Sequence, residues 1–281
     1  MKRPFRSLAL LVTALALPLG ARAERLERTF PATADTVVEV RNLNGQVIVH
    51  AWERPQVQVV ALRRSLVVET HIEQGSNRIH VHTHLLQSSA PASERVVDYE
   101  IWAPASAGLQ LQLETGAVDV ENFTDDVNVE TVAAAVRLRN LSGHTSVKTL
   151  NGSILVERCS GRLEATSISG SMHFLDSTYN RLVANTTSGD ILYEGDLRRG
   201  GSYDFLNHEG AIELRLPPSA SFELDARTVQ GEVVNEHPLT PRSHGRVPQR
   251  SGLHSLLGTA HTGEAMIRAT SFSGKIWMRK R

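Results

Sequence analysis

The segment NGSILVERCSGRLEATSISG, residues 151–170, holds one full period of this chain and decides its fold. Ile154 and Val156 stand two apart, as do Leu163 and Ala165, so each pair shares one face of a short strand. Gly152, Gly161 and Gly170 punctuate the strands as turns; Gly after Asn or Ser supplies the positive φ that a tight corner asks for.

Outward from this stretch the phrase recurs: small polar residue, Gly, any residue, aliphatic, any residue, apolar. It is found at Asn44-Gly45-Gln46-Val47, Thr115-Gly116-Ala117-Val118, Ser169-Gly170-Ser171-Met172 and Ser188-Gly189-Asp190-Ile191. Later copies start at Gly210, Gly231 and Gly274, and a degenerate one, Ala133-Ala134-Ala135-Val136, fills the gap in the middle. From 116 the anchors fall at 134, 152, 170, 189, 210 and 231, in steps of 18 to 21. A second phrase lies halfway, anchored at Asp125, Gly143, Gly161 and Tyr179, again 18 apart. A unit of two strands of about 4–5 residues cannot bury its own apolar face, so units must stack about 4.8 Å apart. The reading is an all-β, two-strand-per-rung β-solenoid of ~18–21-residue period, with a right-handed coil expected. An antiparallel sandwich also uses short regular strands, but it rarely keeps a step this constant.

The flanks change character. Lys2, Arg3 and Arg6, the apolar run Leu8 to Leu17 and Ala21-Arg22-Ala23 read as a signal peptide over residues 1–23, leaving Glu24 as the mature N-terminus. The apolar run is shorter than the ~20 residues that cross a bilayer. Residues 24–112 hold longer alternating runs and are expected to form an antiparallel β cap over one solenoid end. Residues 113–234 carry the repeats, 235–263 read as a loop insertion, and 264–281 as C-terminal capping strands with a basic tail.

Composition narrows the function. Lys+Arg and Asp+Glu number 30 each, and the signal peptide would remove four cations and no acid. A slightly acidic mature chain has no basic footprint for nucleic acid. Cys159 is the only cysteine, so no intramolecular disulfide forms and the fold rests on its core. No P-loop, G-x-S-x-G or dinucleotide fingerprint is present, and no cofactor is expected.

Val97-Asp98-Tyr99-Glu100-Ile101-Trp102-Ala103-Pro104, Leu109-Gln110-Leu111-Gln112-Leu113 and the Gly-anchored phrases resemble a bacterial adhesin-like β-strand-repeat family. The ending Ile267-Arg268-Ala269-Thr270-Ser271-Phe272-Ser273-Gly274-Lys275-Ile276 is similar to that family's last repeat, and the likeness spans roughly 35 to 278. The resemblance implies an exported β-solenoid of largely unknown function, with no catalytic residues to carry over.

Three groups of residues were weighed for chemistry. His80, His82 and His84 alternate along one strand face, and two of them could converge on Zn²⁺ or Cu²⁺. No Cys or carboxylate stands beside them at ligand spacing, so the expectation is a solvated face without metal. Asp119, Asp125, Asp126 and Asp190 are the acids a polysaccharide-cleaving solenoid would use, but adjacent corner residues do not make a carboxylate pair across a cleft. Cys159, without a CxxC partner, reads as packing.

The outer surface differs between the two strands of a unit. Three residues after each anchor the first strand reads Asp119, Arg137, Leu155, His173, Leu192, Glu213, Val234 and Trp277. Leu155, Leu192, Val234 and Trp277 are large and apolar where water is expected, and Leu155, His173, Leu192 and Val234 are the predicted contact face. Its cover would be an envelope protein, a glycan or a surface, or the chain's own loop through Leu253, Leu256 and Leu257. The sequence therefore points to an exported, non-catalytic binding or scaffold module of the cell envelope, periplasmic, cell-surface or secreted. The alternative is a carbohydrate-active solenoid enzyme.

Overall fold

The structure, a computed structural model, describes residues 24–241 and 254–281. The signal peptide, its cleavage site and Leu253 lie outside the described residues. Among the described residues no helix is long and apolar enough to cross a membrane.

The N-terminal third forms β1 (Glu24–Pro31), β2 (Val37–Trp52), β3 (Gln56–Arg63), β4 (Val68–Gln74), β5 (Arg78–Leu85) and β6 (Val97–Pro104). Two long strands follow, β7 (Gly108–Glu121) and β8 (Val127–Arg139). Shorter ones come next: β9 (His144–Thr149), β10 (Ile154–Glu157), β11 (Ser160–Ser169), β12 (Met172–Leu175), β13 (Thr178–Ser188) and β14 (Ile191–Glu194). The chain ends with β15 (Ser202–Glu209), β16 (Ile212–Leu216), β17 (Phe222–Thr228), β18 (Val233–Asn235), β19 (Ser255–Ala260), β20 (Ala265–Ser271) and β21 (Ile276–Lys280). All belong to one 21-stranded sheet.

The predicted rungs are present. β7 and β8 each run through a whole rung, and later rungs split at the corner into β9/β10, β11/β12, β13/β14 and β15/β16. Neighbouring rungs pair in parallel, so Val136, Ile154, Met172, Ile191 and Ile212 fall in one column. That column and its mate through Val156, Phe174, Tyr193 and Leu214 are buried, and Thr145, Val147, Leu163, Ala165, Leu182 and Ala184 of the opposite wall are buried too. The core is the narrow space between the walls. Period-2 alternation fills it because every second side chain points inward.

The ends depart from the expected organisation. β2 was placed in an antiparallel cap, yet it is a full rung, parallel to β7 along its length with Gly45 beside Gly116. Its other edge carries β5 and β6, which together make a further parallel rung. The antiparallel pairs at this end are β4 on β5, β3 on β6 and β1 on β3. At the far end β20 and β21, expected to cap, sit between β15/β16 and β17/β18 as an inner rung. The expected loop 235–263 contains β19, which pairs antiparallel with β17 and sets Leu256 and Leu257 opposite Ala226 and Asp225, not over Leu155. At the C-terminal end the chain skips a slot, builds the outer rung β17/β18, adds β19 and returns to fill the slot. At the N-terminal end the order is reversed, the inner rung β2 coming first, then β3 and β4, then the outer rung β5/β6. The antiparallel strands cover edges that would otherwise template pairing with another chain.

Only some of the corner glycines serve the purpose the sequence suggested. Gly45, Gly116, Gly161 and Gly210 have positive φ, but Gly143, Gly152, Gly170, Gly189, Gly231 and Gly274 do not. Along the main corner they form a column in which each Cα faces the backbone of the next rung. A Cβ on Gly170 would lie 2.2 Å from the Gly152 carbonyl oxygen, and one on Gly189 2.3 Å from that of Gly170. The left-handed turns fall instead at the next corner, on Asn122, Asn140, Arg158 and Asp176, 18 residues apart. Asn tolerates that region by its short polar side chain. Here Asn140 Nδ2 donates to Asn122 Oδ1 at 2.9 Å and Arg158 Nε donates to Asn140 Oδ1 at 3.0 Å, a ladder along the outside.

Inside the same corner Phe123, Leu141, Cys159 and Ser177 stack as plugs, all buried. The Cys159 thiol lies 3.4 Å from the Glu157 carbonyl, and burial pushes its pKa up to about 11. It is a packing group, as read from the sequence.

His237 packs edge-on against Phe222 at 5.5 Å, with Nε2 donating to the Arg279 carbonyl at 3.2 Å. Burial lowers its pKa from the ordinary 6.5, partly offset by that hydrogen bond. The fold therefore prefers neutral His237, a contribution present above pH 6.5 and lost as pH falls through and below it, because the unfolded chain takes up the proton first. Urea midpoints at pH 7.5 and 5.5 should show a drop that shrinks in His237→Gln. An unchanged pH step in the variant would refute the assignment.

Candidate functional site

Outward residues stack in the same register as inward ones, so each rung position becomes a column on the surface. The predicted contact column runs Asp119, Arg137, Leu155, His173, Leu192, Glu213, Trp277, Val234 in stacking order. His173 and Val234 are exposed, whereas Leu155 and Leu192 are half-buried. Charged ladders flank them. Arg139 bridges Asp119 and Glu121 at 3.0 and 3.1 Å, and Arg215 bridges Glu194 and Glu213 at 3.2 and 2.9 Å. Nor is the basic tail free, since Arg279 pairs with Glu213 and Arg281 with Asp196.

A row of more exposed aliphatic side chains lies elsewhere, at the Gly corner. Thr131, Thr149, Ser167, Thr186, Thr228 and Ser271, three residues before each anchor, are buried at the Gly corner. Each residue that follows is turned out. Val132, Leu150 and Ile168 are 46, 50 and 53% exposed on three successive rungs. Backbone hydrogen bonds hold the stripe in step, Asn151 N donating to Val132 O and Ser169 N to Leu150 O. Val132 also borders a depression of about 560 Å³ lined by Arg41, Leu43, Glu114 and Glu130. In the sequence the stripe is the residue two before each anchor, a corner position that strand alternation does not single out.

The histidine face gains a partner that the sequence hid. β5 turns Ile79 and Val81 inward and His80, His82 and His84 outward. β4 sets Glu73, His71 and Glu69 opposite these three. On the other edge β2 sets Glu39 beside His80 and Arg41 beside His82. The nearly buried Glu39 has Oε2 3.4 Å from His80 Nδ1 and Oε1 3.5 Å from His82 Nε2. It is also paired with Arg41 at 2.8 Å and Arg78 at 3.1 Å. Burial raises the Glu39 pKa, but Arg78, Arg41 and the two imidazoles together outweigh it and hold the carboxyl below its ordinary value. Burial, then the Arg41 charge, pushes His82 below 6.5, so its imidazole is neutral at pH 7. The expectation that no carboxylate stands at ligand spacing is thus corrected: Glu39 is distant in sequence and adjacent in the sheet.

The four acids weighed for hydrolysis are not brought together. Asp119 is paired with Arg139 on the first-strand face. Asp125 Oδ1 accepts from Asp126 N within a turn, and Asp190 Oδ1 accepts from Ala211 N at the Gly corner.

This geometry can be set beside known proteins. The family model described as Toastrack DUF4097 matches residues 107–279. No curated protein matches the chain. Among solved structures, a "putative adhesin" from Bacteroides fragilis NCTC 9343 is 11% identical, covering 93% of this chain and 99% of its own, with a TM-score of 0.49. Another "putative adhesin", from Parabacteroides distasonis ATCC 8503, is 9% identical over 92% of this chain and 98% of its own, with a TM-score of 0.47. Since the matched segment is more than half of the chain and coincides with its stacked rungs, the chain belongs to the Toastrack DUF4097 family, a family of unknown function.

Proposed function

We propose that this protein is an exported, non-catalytic binding module of the bacterial cell envelope that docks another envelope protein along its glycine corner. The observation that carries this reading is the stripe Val132, Leu150, Ile168: three aliphatic side chains half exposed in register at strand spacing. Contiguous apolar surface on a soluble face costs solubility and usually marks a contact. Its chemistry favours a protein. Val, Leu and Ile lack the flat ring that stacks on a sugar, and the flanking pair Lys148–Glu130 brings no excess of positive charge for an anionic membrane. Export rests on the signal-peptide pattern of residues 1–23, and N-terminal sequencing of exported protein should begin at Glu24. The non-catalytic reading is supported by the separate structural use of Asp119, Asp125 and Asp190.

The face is tested by capture from native envelope using wild type, Leu150→Ser/Ile168→Ser, and Leu155→Ser/Leu192→Ser. Loss of two buried aliphatic contacts should weaken recovery of a protein partner at least tenfold in the first pair. The second pair probes the contact column Leu155, His173, Leu192 and Val234, and should recover the partner as wild type does. If only the second pair loses the partner, the contact lies on the strand face. Recovery of glycan or lipid in place of protein would overturn the choice of partner.

A further inference from the structure

We propose that Glu39, His80 and His82 form a binding site for a divalent transition-metal ion of the zinc class. One ligand atom from each of the three lies within 4.8 Å of the others. Zinc bonds to imidazole nitrogen and carboxylate oxygen are about 2.0–2.2 Å. The edge of a tetrahedron is about 1.63 times the bond, which gives about 3.3–3.6 Å between ligands. The two carboxylate-to-imidazole separations here are 3.4 and 3.5 Å. They run to the two different oxygens of Glu39, are longer than the 2.7–3.2 Å of a good hydrogen bond, and are close to that edge, as for a carboxylate that faces the ion with both oxygens. A second observation points the same way. His82 Nε2 is buried, has no hydrogen-bond partner and is aimed at Glu39. A buried nitrogen left without a partner costs free energy unless something fills the space before it.

The surroundings suit the role. Arg41 and Arg78 compete for Glu39, but a carboxylate offers about four lone-pair sites, and Arg78 is itself held by the Gln110 Oε1 at 2.7 Å. Such second contacts orient a ligand and tune the metal. A fourth position falls to water or to His71, which stands opposite His82 on β4. The site joins β2 to β5, the junction where an outer rung is laid against an earlier strand, so a bound ion would pin the end of the stack.

The test is calorimetric titration of the full chain, free of any histidine tag, with ZnCl₂ alone, alongside the absorption of Co²⁺ loaded in its place. Saturable one-to-one binding, micromolar or tighter, is expected, with a Co²⁺ spectrum of tetrahedral intensity. His80→Ala, His82→Ala and Glu39→Gln should each weaken binding at least tenfold, while His84→Ala leaves it within about twofold. Binding that Glu39→Gln leaves unchanged would reduce the site to an adventitious histidine strip and overturn the proposal, as would no saturable uptake by wild type. Should Glu39→Gln fail to fold, His80→Ala at its half-exposed position decides alone: unchanged affinity overturns the site.

Discussion

Val156→Asp should cost about 4 kcal/mol or more, enough to unfold a marginally stable domain outright. Val156 is fully buried in β10, and its parallel neighbours Leu138 and Phe174 are fully buried as well. A carboxylate there has no cation to pair with and no room to reach water. It must either enter the apolar core charged or take up a proton, and either route is expensive. The neighbour Leu155 faces outward, so Leu155→Asp should cost below about 1 kcal/mol. Urea unfolding of the two variants measures the difference directly. A Val156→Asp loss under ~0.5 kcal/mol, the size usual at a surface position, would mean that the alternation of β10 runs the other way.

This contrast was legible in the sequence because it is local. A period of two sets which side chain points inward, and a step of 18 sets which rung follows which. Ile154, Val156, Met172, Phe174, Ile191 and Tyr193 could be placed inside without a structure, and all are buried. What was not legible is order in the stack. Nothing in the residues of β20 says that it pairs with β15 on one edge and β17 on the other. The choice is made by long-range pairing between strands whose local patterns are equivalent, so an expected cap proved to be an inner rung. The same cause hid the candidate site. His80, His82 and His84 were visible as an alternating triplet, but Glu39 reaches them only because β2 lies parallel to β5. Exposed corner residues escaped for a different reason: Leu150 sits between β9 and β10, and Ile168 at the turn-side end of β11, where the inward–outward pattern of the core pairs makes no statement.

Positive φ accounts for Gly45, Gly116, Gly161 and Gly210 but not for Gly170, and a substitution separates the two explanations there. If Gly170 were there to adopt positive φ, its backbone would show it; it does not, and Ala would fit. If it is there because rungs approach too closely for a side chain, Ala must collide. A Cβ at Gly170 would lie 2.2 Å from the Gly152 carbonyl oxygen and 2.8 Å from its carbon. Those are backbone atoms of a rung whose strands are hydrogen-bonded on both sides, so neither can yield without stretching the ladder. We expect Gly170→Ala to cost about 2–3 kcal/mol, within the range for overpacking a close contact. Gly75→Ala is the control, since its Cβ would meet nothing nearer than 3.6 Å, at the Arg78 carbonyl. It should be neutral or slightly stabilising through the lower entropy of the unfolded chain. Ala134 shows that the column can take a side chain, but it does so in β8, where the strand runs unbroken through the corner. Gly170 stands between β11 and β12, where the strand breaks. Equal thermal midpoints for Gly170→Ala and Gly75→Ala would show that the rungs can part at the corner, and that close approach is not what keeps glycine there.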